Sequence, residues 1–352
     1  MEQTRQLLLQ HYKTYPALQI RDIFKFLHQS AFGCEHFVAS LEMATERIAS
    51  EYAGGVPQAQ IEPLDGEYCR VPLCVLDQGL QAKTLGKLFV ASAKREENGL
   101  FALLEKLEIA GNLVREGLLP FAEKEWDAAL AQWASNGYPA VRHSDIFREY
   151  YHPAYRVIAN EFVPFLALFA ELDKLSSKKR AIVAIEGGSA SGKTTLSEMI
   201  EKLYRCTVFR MDDFFLRPEQ RTPERYAEIG GNIDRERFLA EVLEPMRRGE
   251  TVNYRSFDCQ TMSLAEGEQV RPESLVIVEG AYSMHPEFEK YYDYSVFLDI
   301  SAPLQRERIL RRNSPKMAQR FFAEWIPLEN AYFAKMHIVQ RCAMTIPVLE
   351  NV

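Results

Sequence analysis

Residues 181–196 read Ala-Ile-Val-Ala-Ile-Glu-Gly-Gly-Ser-Ala-Ser-Gly-Lys-Thr-Thr-Leu. Gly187, Gly192, Lys193 and Thr194 stand at the spacing of a phosphate-binding loop. The apolar run Ala181–Ile185 before it and the helix-compatible run Thr195–Tyr204 after it supply the strand–loop–helix order that such a loop needs. The glycines let main-chain N–H groups turn toward one point, and the new helix adds its positive end. Gly187, Gly188, Ser189, Ala190, Ser191, Gly192, Lys193, Thr194 and Thr195 are therefore the candidate nucleotide-binding residues. Lys193 would reach the β- and γ-phosphates of ATP, and the Thr194 hydroxyl would hold Mg²⁺.

Phosphoryl transfer also needs a metal site, a group that orients or deprotonates the acceptor, and positive charge on the moving group. The apolar run Thr207–Met211 ends in Asp212-Asp213-Phe214-Phe215. Asp212 is the candidate base toward a substrate hydroxyl and a further candidate metal ligand; the bland alternative is an Asp pair capping a turn. A second apolar run, Leu275–Val278, ends in Glu279, the candidate metal carboxylate. Arg306, Arg308, Arg311, Arg312 and Arg320 follow on helical stretches broken by Asn313-Ser314-Pro315. They read either as a solvated face or as a lid that neutralises the transferring phosphoryl group and excludes water.

The elements that must position these residues fall in two parts. A chain of 352 residues is long for one core, so two domains are expected, residues 1–175 and 181–352, joined at Ser176-Ser177-Lys178-Lys179-Arg180. The first reads as mostly helical: Leu18–His28, Leu41–Tyr52, Leu100–Glu116, Ala122–Ala134 and Phe162–Leu175 carry helical periodicity. Pro120 is expected in a helical first turn, and Glu67–Val75 reads as a short extended segment. In the second, the runs Ala181–Ile185, Thr207–Met211, Leu275–Val278 and Ser295–Ile300 alternate with helices over Thr195–Tyr204, Arg235–Arg248 and Pro303–Arg312. That alternation predicts an α/β domain, a parallel sheet with flanking helices of the kind that carries phosphate loops. Ligands of such sheets sit beyond the carboxyl ends of the strands.

Composition narrows the partners. A net charge of −7 argues against non-specific nucleic-acid binding. The longest strongly apolar stretch, Phe162–Ala170, is too short to cross a bilayer. Six cysteines with no CxxC pair, and no signal-peptide pattern at the N-terminus, suggest reduced thiols and a cytoplasmic protein. The oligomeric state stays open, a homo-oligomer included.

Residues 180–345 resemble the uridine kinase/phosphoribulokinase family. The resemblance rests on Gly187–Thr195, Asp212–Phe215, Asn232-Ile233-Asp234, the Gly249/Val252/Tyr254 pattern, Val278-Glu279-Gly280 and the arginines from 306 to 320. It implies an enzyme that uses ATP and Mg²⁺ to phosphorylate a hydroxyl of a nucleoside or another small metabolite. By that resemblance Asp212 takes the base position, Asp234 contacts acceptor hydroxyls, and Phe215 and Tyr254 line the acceptor pocket. Arg311 is counted as the catalytic lid arginine, with Arg308 and Arg312 on the substrate side. Asp-Asp-Phe-Phe stands where uridine kinases carry Asp-Ser-Phe-Tyr, and is similar to the nicotinamide riboside kinase branch. No counterpart appears of the histidine that uridine kinases place near the pyrimidine. Arg217, Arg221 and Arg225 could serve an anionic acceptor.

The N-terminal half resembles proteins with His-Gln-Ser…Gly-Cys-Glu-His and Tyr-His-Pro-Ala-Tyr-Arg segments, which supplies no function. His11, His28, His36, His143 and His152, with Cys34 and Glu35, fit no standard zinc spacing and read as core or surface groups rather than a metal site. Arg70, Arg142 and Arg156 could bind an anion or pair with local acids. Two other readings of the whole chain stand beside the kinase: a nucleotide-dependent switch that reports to the helical half or a partner, and a bifunctional enzyme.

Overall fold

The computed structural model describes residues 2–34, 40–53, 55–56, 58–93 and 99–349. The chain divides into two compact units, Met1–Glu171 and Leu172–Val352. Among the described residues no helix is long and apolar enough to cross a membrane.

The first unit contains α1 (Glu2–Thr14), α2 (Ile20–Phe32), α3 (Leu41–Ala53), α4 (Ala82–Ala91), α5 (Gly99–Arg115), α6 (Glu123–Ser135) and α7 (Asp145–Tyr151). Strands β1 (Glu62–Pro63), β2 (Tyr68–Pro72) and β3 (Tyr155–Ala159) form an antiparallel sheet in that order. Most of these helices follow from apolar spacing: α2 buries Ile23, Phe24, Phe26 and Leu27, and Phe24 stacks on Trp133 of α6 at 4.5 Å. Three expectations shift. Pro120 lies before α6 rather than in its first turn; that helix starts at Glu123. Only Tyr68–Pro72 of the extended segment is strand, and Leu73–Gln78 coils into a 3₁₀ turn. Residues Asn160–Phe165 form a 3₁₀ turn before α8 (Leu166–Leu175), which runs across the division between units. Pro164 accounts for the late start, because it has no N–H for an α-helical bond.

The second unit is built on β4 (Ala181–Gly187), α9 (Lys193–Leu203), β5 (Cys206–Arg210), α10 (Pro223–Ala227), α11 (Arg235–Phe238) and α12 (Glu244–Arg248). Small strands β6 (Val252–Tyr254), β7 (Phe257–Asp258), β8 (Ser263–Leu264) and β9 (Glu268–Val270) follow, pairing as β6–β9 and β7–β8. The chain continues through β10 (Leu275–Glu279), β11 (Tyr294–Asp299), α13 (Ala302–Arg312), α14 (Pro315–Arg320), α15 (Ile326–Lys335), α16 (Ile338–Arg341) and β12 (Met344–Pro347). The main sheet has the order β12-β11-β4-β10-β5, and all its pairs are parallel. The small hairpins and β12 are too short to give a periodic signal.

The expected helix over Arg235–Arg248 is interrupted. A π turn at Leu239–Leu243 separates α11 from α12, and a second at Phe321–Trp325 separates α14 from α15. Each ends two residues before a proline, Pro245 or Pro327. A proline cannot donate the next i→i−4 bond, and the residue before it, Glu244 or Ile326, bonds one carbonyl further back, to Leu239 or Phe321.

Register places the chemistry. Glu279 pairs with Ile185 on one side and Arg210 on the other, so the carboxyl ends of β4, β10 and β5 lie in one row. Every residue of β4 and β10 is buried, as expected for central strands covered on both faces. The main core packs Ile182, Phe209, Val276 and Val278 against Phe238, Val242 and Phe288. A crevice beyond the row of strand ends is where this class of sheet takes ligands.

Candidate active site

The loop after β4 has the backbone that its glycines allow. Gly187 lies at φ 151°, Ala190 at 62° and Gly192 at 95°. A Cβ on Gly187 would stand 2.8 Å from the Leu298 carbonyl oxygen, so no larger residue fits there. Gly192 caps α9 from the left-handed region. Lys193 donates from Nζ to the carbonyls of Gly187 (2.8 Å) and Gly188 (2.9 Å). The Thr194 hydroxyl donates to Glu279 Oε1 at 3.2 Å. The Ser191 hydroxyl is buried and bonds no protein atom.

Carboxylates ring this loop. Burial raises the Glu279 carboxyl above its ordinary range; the charge of Lys193 opposes that rise and the charge of Asp212 adds to it. Glu329 of α15 is raised by burial too. Its bonds from Ser189 and the charge of Lys193 oppose the rise, and Asp212 adds to it. Both buried acids thus feel the charges of Lys193 and Asp212. Asp212 is exposed in a 3₁₀ turn, Met211–Phe214, just past β5. Arg210, the last residue of β5, lies 3.6 Å from Glu279.

Glu186, fully buried at the mouth of the loop, accepts from the N–H groups of Gly187 (2.9 Å), Tyr282 (3.2 Å) and Met284 (3.0 Å) and from the Tyr332 hydroxyl (3.0 Å). Burial outweighs these bonds and pushes its carboxyl up to about 7.

On the other flank, Asp234 is buried. It caps α11 by accepting from the Arg237 N–H and lies 3.2 Å from Arg237 Nε and 3.7 Å from Arg217 Nε. Arg237 also donates to the Asp213 carbonyl at 2.7 Å and covers the Phe214 ring, 4.4 Å from its centroid. Tyr254 stacks on Phe214 in the core and donates to Glu268 at 3.3 Å; burial pushes its phenol up to about 12. Phe215 is half-buried and bridges Ile233 through the main chain.

A resident Mg²⁺ is bound in proteins by one or two carboxylates together with substrate phosphates and water, not by an all-protein cage. Thr194 beside Glu279, with Asp212 in electrostatic reach, is a donor set of that kind. Among the described residues no group of three or more His, Cys, Asp and Glu forms a closed metal cage.

Residues 182–321 match the phosphoribulokinase/uridine kinase family. The C-terminal half carries a domain of that family. Uridine kinase-like protein 4 of Arabidopsis thaliana is 26% identical over 141 residues, which is 38% of this chain and 30% of that protein. The uridine kinase of Chlamydia pneumoniae is 29% identical over 140 residues, 37% of this chain and 61% of that one. The chain thus spans about 30% of the length of the first curated relatives it matches. A solved structure described as a possible uridine kinase from Bacillus stearothermophilus aligns over 53% of this chain and 96% of its own, at 18% identity and a TM-score of 0.41.

Within the residues matched by this family the arginines divide. Arg308 of α13 donates to the Ala190 carbonyl at 3.4 Å and to the Leu349 carbonyl at 3.1 Å, so it lies against the loop. Arg311 is 75% exposed and pairs with Glu307 at 3.9 Å. Arg312 is exposed at the end of the same helix. Arg320 pairs with Glu324 at 3.3 Å and covers the Trp325 ring.

Four residues of the second unit escape a reading of the sequence: Glu186, Arg210, Gln305 and Glu329. Gln305 of α13 donates to the Ser189 carbonyl at 2.9 Å. Glu186 was within reach, because an acid ending an apolar strand is the same signal that marks Glu279.

Of the N-terminal histidines, His11 bonds Glu62 (2.5 Å), His143 bonds Asp22 (2.9 Å) and the Tyr155 hydroxyl (2.7 Å), and His28 packs on Phe32. His152 ends α7 in the left-handed region. Glu35 and His36 lie outside the described residues. None of the six cysteines, Cys34 among them, is joined in a disulfide.

Proposed function

We propose that the second unit transfers the γ-phosphoryl group of ATP to a hydroxyl of a nucleoside or related small metabolite. The observation that carries this reading is the bond from the Thr194 hydroxyl to Glu279 at the loop that holds Lys193, with the charge of Asp212 felt at the same carboxylate.

In this reading the main-chain N–H groups of residues 188–194 and the α9 terminus bind the terminal phosphates. Lys193 exchanges its two carbonyl partners for phosphate oxygens, and the buried Ser191 hydroxyl gains an acceptor. Thr194, Glu279 and Asp212 would hold Mg²⁺, which supplies charge neutralisation on the phosphates when bound. Asp212 orients the acceptor hydroxyl and takes its proton as that oxygen bonds to the γ-phosphorus and the bond to the ADP oxygen breaks. Arg308, already against the loop, supplies positive charge on the moving group. Arg217, beside Asp234 on the acceptor flank, suits an acceptor that carries an anionic group. Six cysteines with no disulfide among them support a reducing, cytoplasmic setting.

The test is incubation of the full chain with ATP, Mg²⁺ and pooled nucleosides and metabolites, followed by ³¹P NMR. A new phosphomonoester appearing with ADP supports transfer. Slow hydrolysis that no small acceptor changes and a protein partner alters would replace the kinase with a nucleotide-dependent switch.

A further inference from the structure

The first unit holds a cavity of about 70 Å³ that the kinase reading does not use. It is lined by Tyr15, Glu62, Arg70, Phe147, Tyr151 and Tyr155, among others. On the usual scale of about 10–15 Å³ per water position it has room for a single small ring and not for a nucleotide.

Arg70 decides what the cavity does. Its side chain is 2% exposed, yet only part of its donor set is used. Nε donates to Gln29 Oε1 at 2.8 Å and Nη1 to Glu62 Oε2 at 2.9 Å, while Nη2 is buried with no partner. Buried guanidinium N–H groups are costly to leave without an acceptor, and such an orphan in a cavity wall marks a place for one. The guanidinium carbon lies over two rings, 4.8 Å from the Tyr155 centroid and 5.3 Å from that of Phe26. Its two hydrogen bonds and these rings set its position before any ligand arrives.

Charge and shape narrow the ligand. Arg70 and Glu62 cancel one another across 2.9 Å. His11, the other partner of Glu62, is shifted by burial toward its neutral form. Burial keeps the Tyr15 and Tyr155 phenols protonated, that of Tyr155 up to about 12. An anion entering this pocket would meet the Glu62 carboxylate with no uncompensated cation beside it. A neutral molecule would not. Tyr15, Phe147 and Tyr151 stand 4.9–5.0 Å apart in tilted and edge-to-face contacts, a wall suited to a flat ring.

We propose that this cavity binds a small, neutral, planar molecule whose edge sets a carbonyl oxygen beside an N–H, the carbonyl accepting from Arg70 Nη2 and the N–H donating to Glu62. Ring lactams such as uracil and primary carboxamides such as nicotinamide share that edge. The site lies wholly in the first unit, and the assignment is independent of the kinase reading.

The test titrates the full chain by calorimetry with uracil and, separately, with nicotinamide, using acetate and inorganic phosphate as anionic probes. Saturable binding of at least one neutral probe is expected, and which one separates the lactam from the carboxamide. Arg70→Lys keeps a cation for Glu62 but removes the second donor arm, and should weaken binding by about tenfold or more. Ala59→Phe fills the cavity from an exposed position and should do the same with an unchanged melting temperature. If Arg70→Lys fails to fold, Ala59→Phe decides alone. Binding of neither neutral probe, tighter binding of an anion, or binding indifferent to Ala59→Phe, as a site in the second unit would give, overturns the proposal.

Discussion

Glu329 accepts two hydrogen bonds from Ser189, one from its main-chain N–H at 2.9 Å and one from its hydroxyl at 2.6 Å. One turn further along α15, Tyr332 donates to Glu186 at 3.0 Å. Positions i and i+3 share a helix face, so one face of α15 holds the loop both at its mouth and at its third residue. The helix that follows the arginine-bearing segment is thus part of the loop's support.

Removing that support should cost stability. Glu329→Ala leaves two donors of Ser189 without an acceptor and is expected to lower unfolding free energy by about 1–3 kcal/mol. Glu329→Gln keeps one acceptor oxygen and should lose less. Urea unfolding of the two variants beside the parent chain checks the order; equal stability of all three would show that the contact contributes nothing.

Asp212 and Lys193 should separate chemistry from binding. Asp212→Asn is expected to retain ATP affinity while phosphoryl transfer falls by about 10²–10⁴. Lys193→Ala should weaken nucleotide binding itself. Single-turnover rates and equilibrium titration distinguish the two, and full turnover by Asp212→Asn would remove it from the role of base.

The arginines offer a direct comparison. Arg308 touches the loop at Ala190, whereas Arg311 pairs with Glu307 on an exposed face. Arg308→Ala is expected to slow transfer by about tenfold or more, and Arg311→Ala by less than about twofold, since exposed ion pairs contribute little. The reverse order, read from kcat, would return the assignment to Arg311.

The two units should answer acid in opposite ways. Burial pushes the His143 imidazole down to about 3. Burial of Asp22 raises its carboxyl, but bonds from His143, Ser144 and Gln19 hold it down to about 2. Both folded values lie below the unfolded ones, so their stabilisation is present at neutral pH. The His143 part is lost as pH falls from 6.5 toward 3, and the Asp22 part below about 3.8. Glu186 has the opposite sign: its folded value, about 7, lies above the unfolded 4.5, so its relative stabilisation of the second unit fades as pH rises across that interval. Trp126 and Trp133 report the first unit once Trp325 is replaced by Phe. Their unfolding midpoint should drop between pH 6.5 and 4, and His143→Gln should flatten that slope.

The strands that carry the loop and Glu279 are legible because buried parallel strands are short apolar runs with abrupt polar ends. The same rule leaves β12 invisible, since Met344–Pro347 is brief and sits on a sheet edge. Glu329 could not be read, because it meets Ser189 across 140 positions and nothing local marks it. The π turns were legible in principle from Pro245 and Pro327, although a continuous helical period over Arg235–Arg248 conceals the change of hydrogen bonding. In the first unit, His11, Glu62 and Arg70 come from α1, β1 and β2, and only the fold unites them. Asp234 is the converse case: family likeness points to an acceptor contact, while its place before Arg235 also makes it the cap of α11.

Strands β11 and β12 are neighbours from Val296↔Met344 to Asp299↔Pro347. Everything between them, with Arg308, Gln305 and Glu329, is therefore an arch with both feet set in the same sheet. Such an arch can flex at its crown but cannot swing out like a free arm. Its travel is bounded by its span.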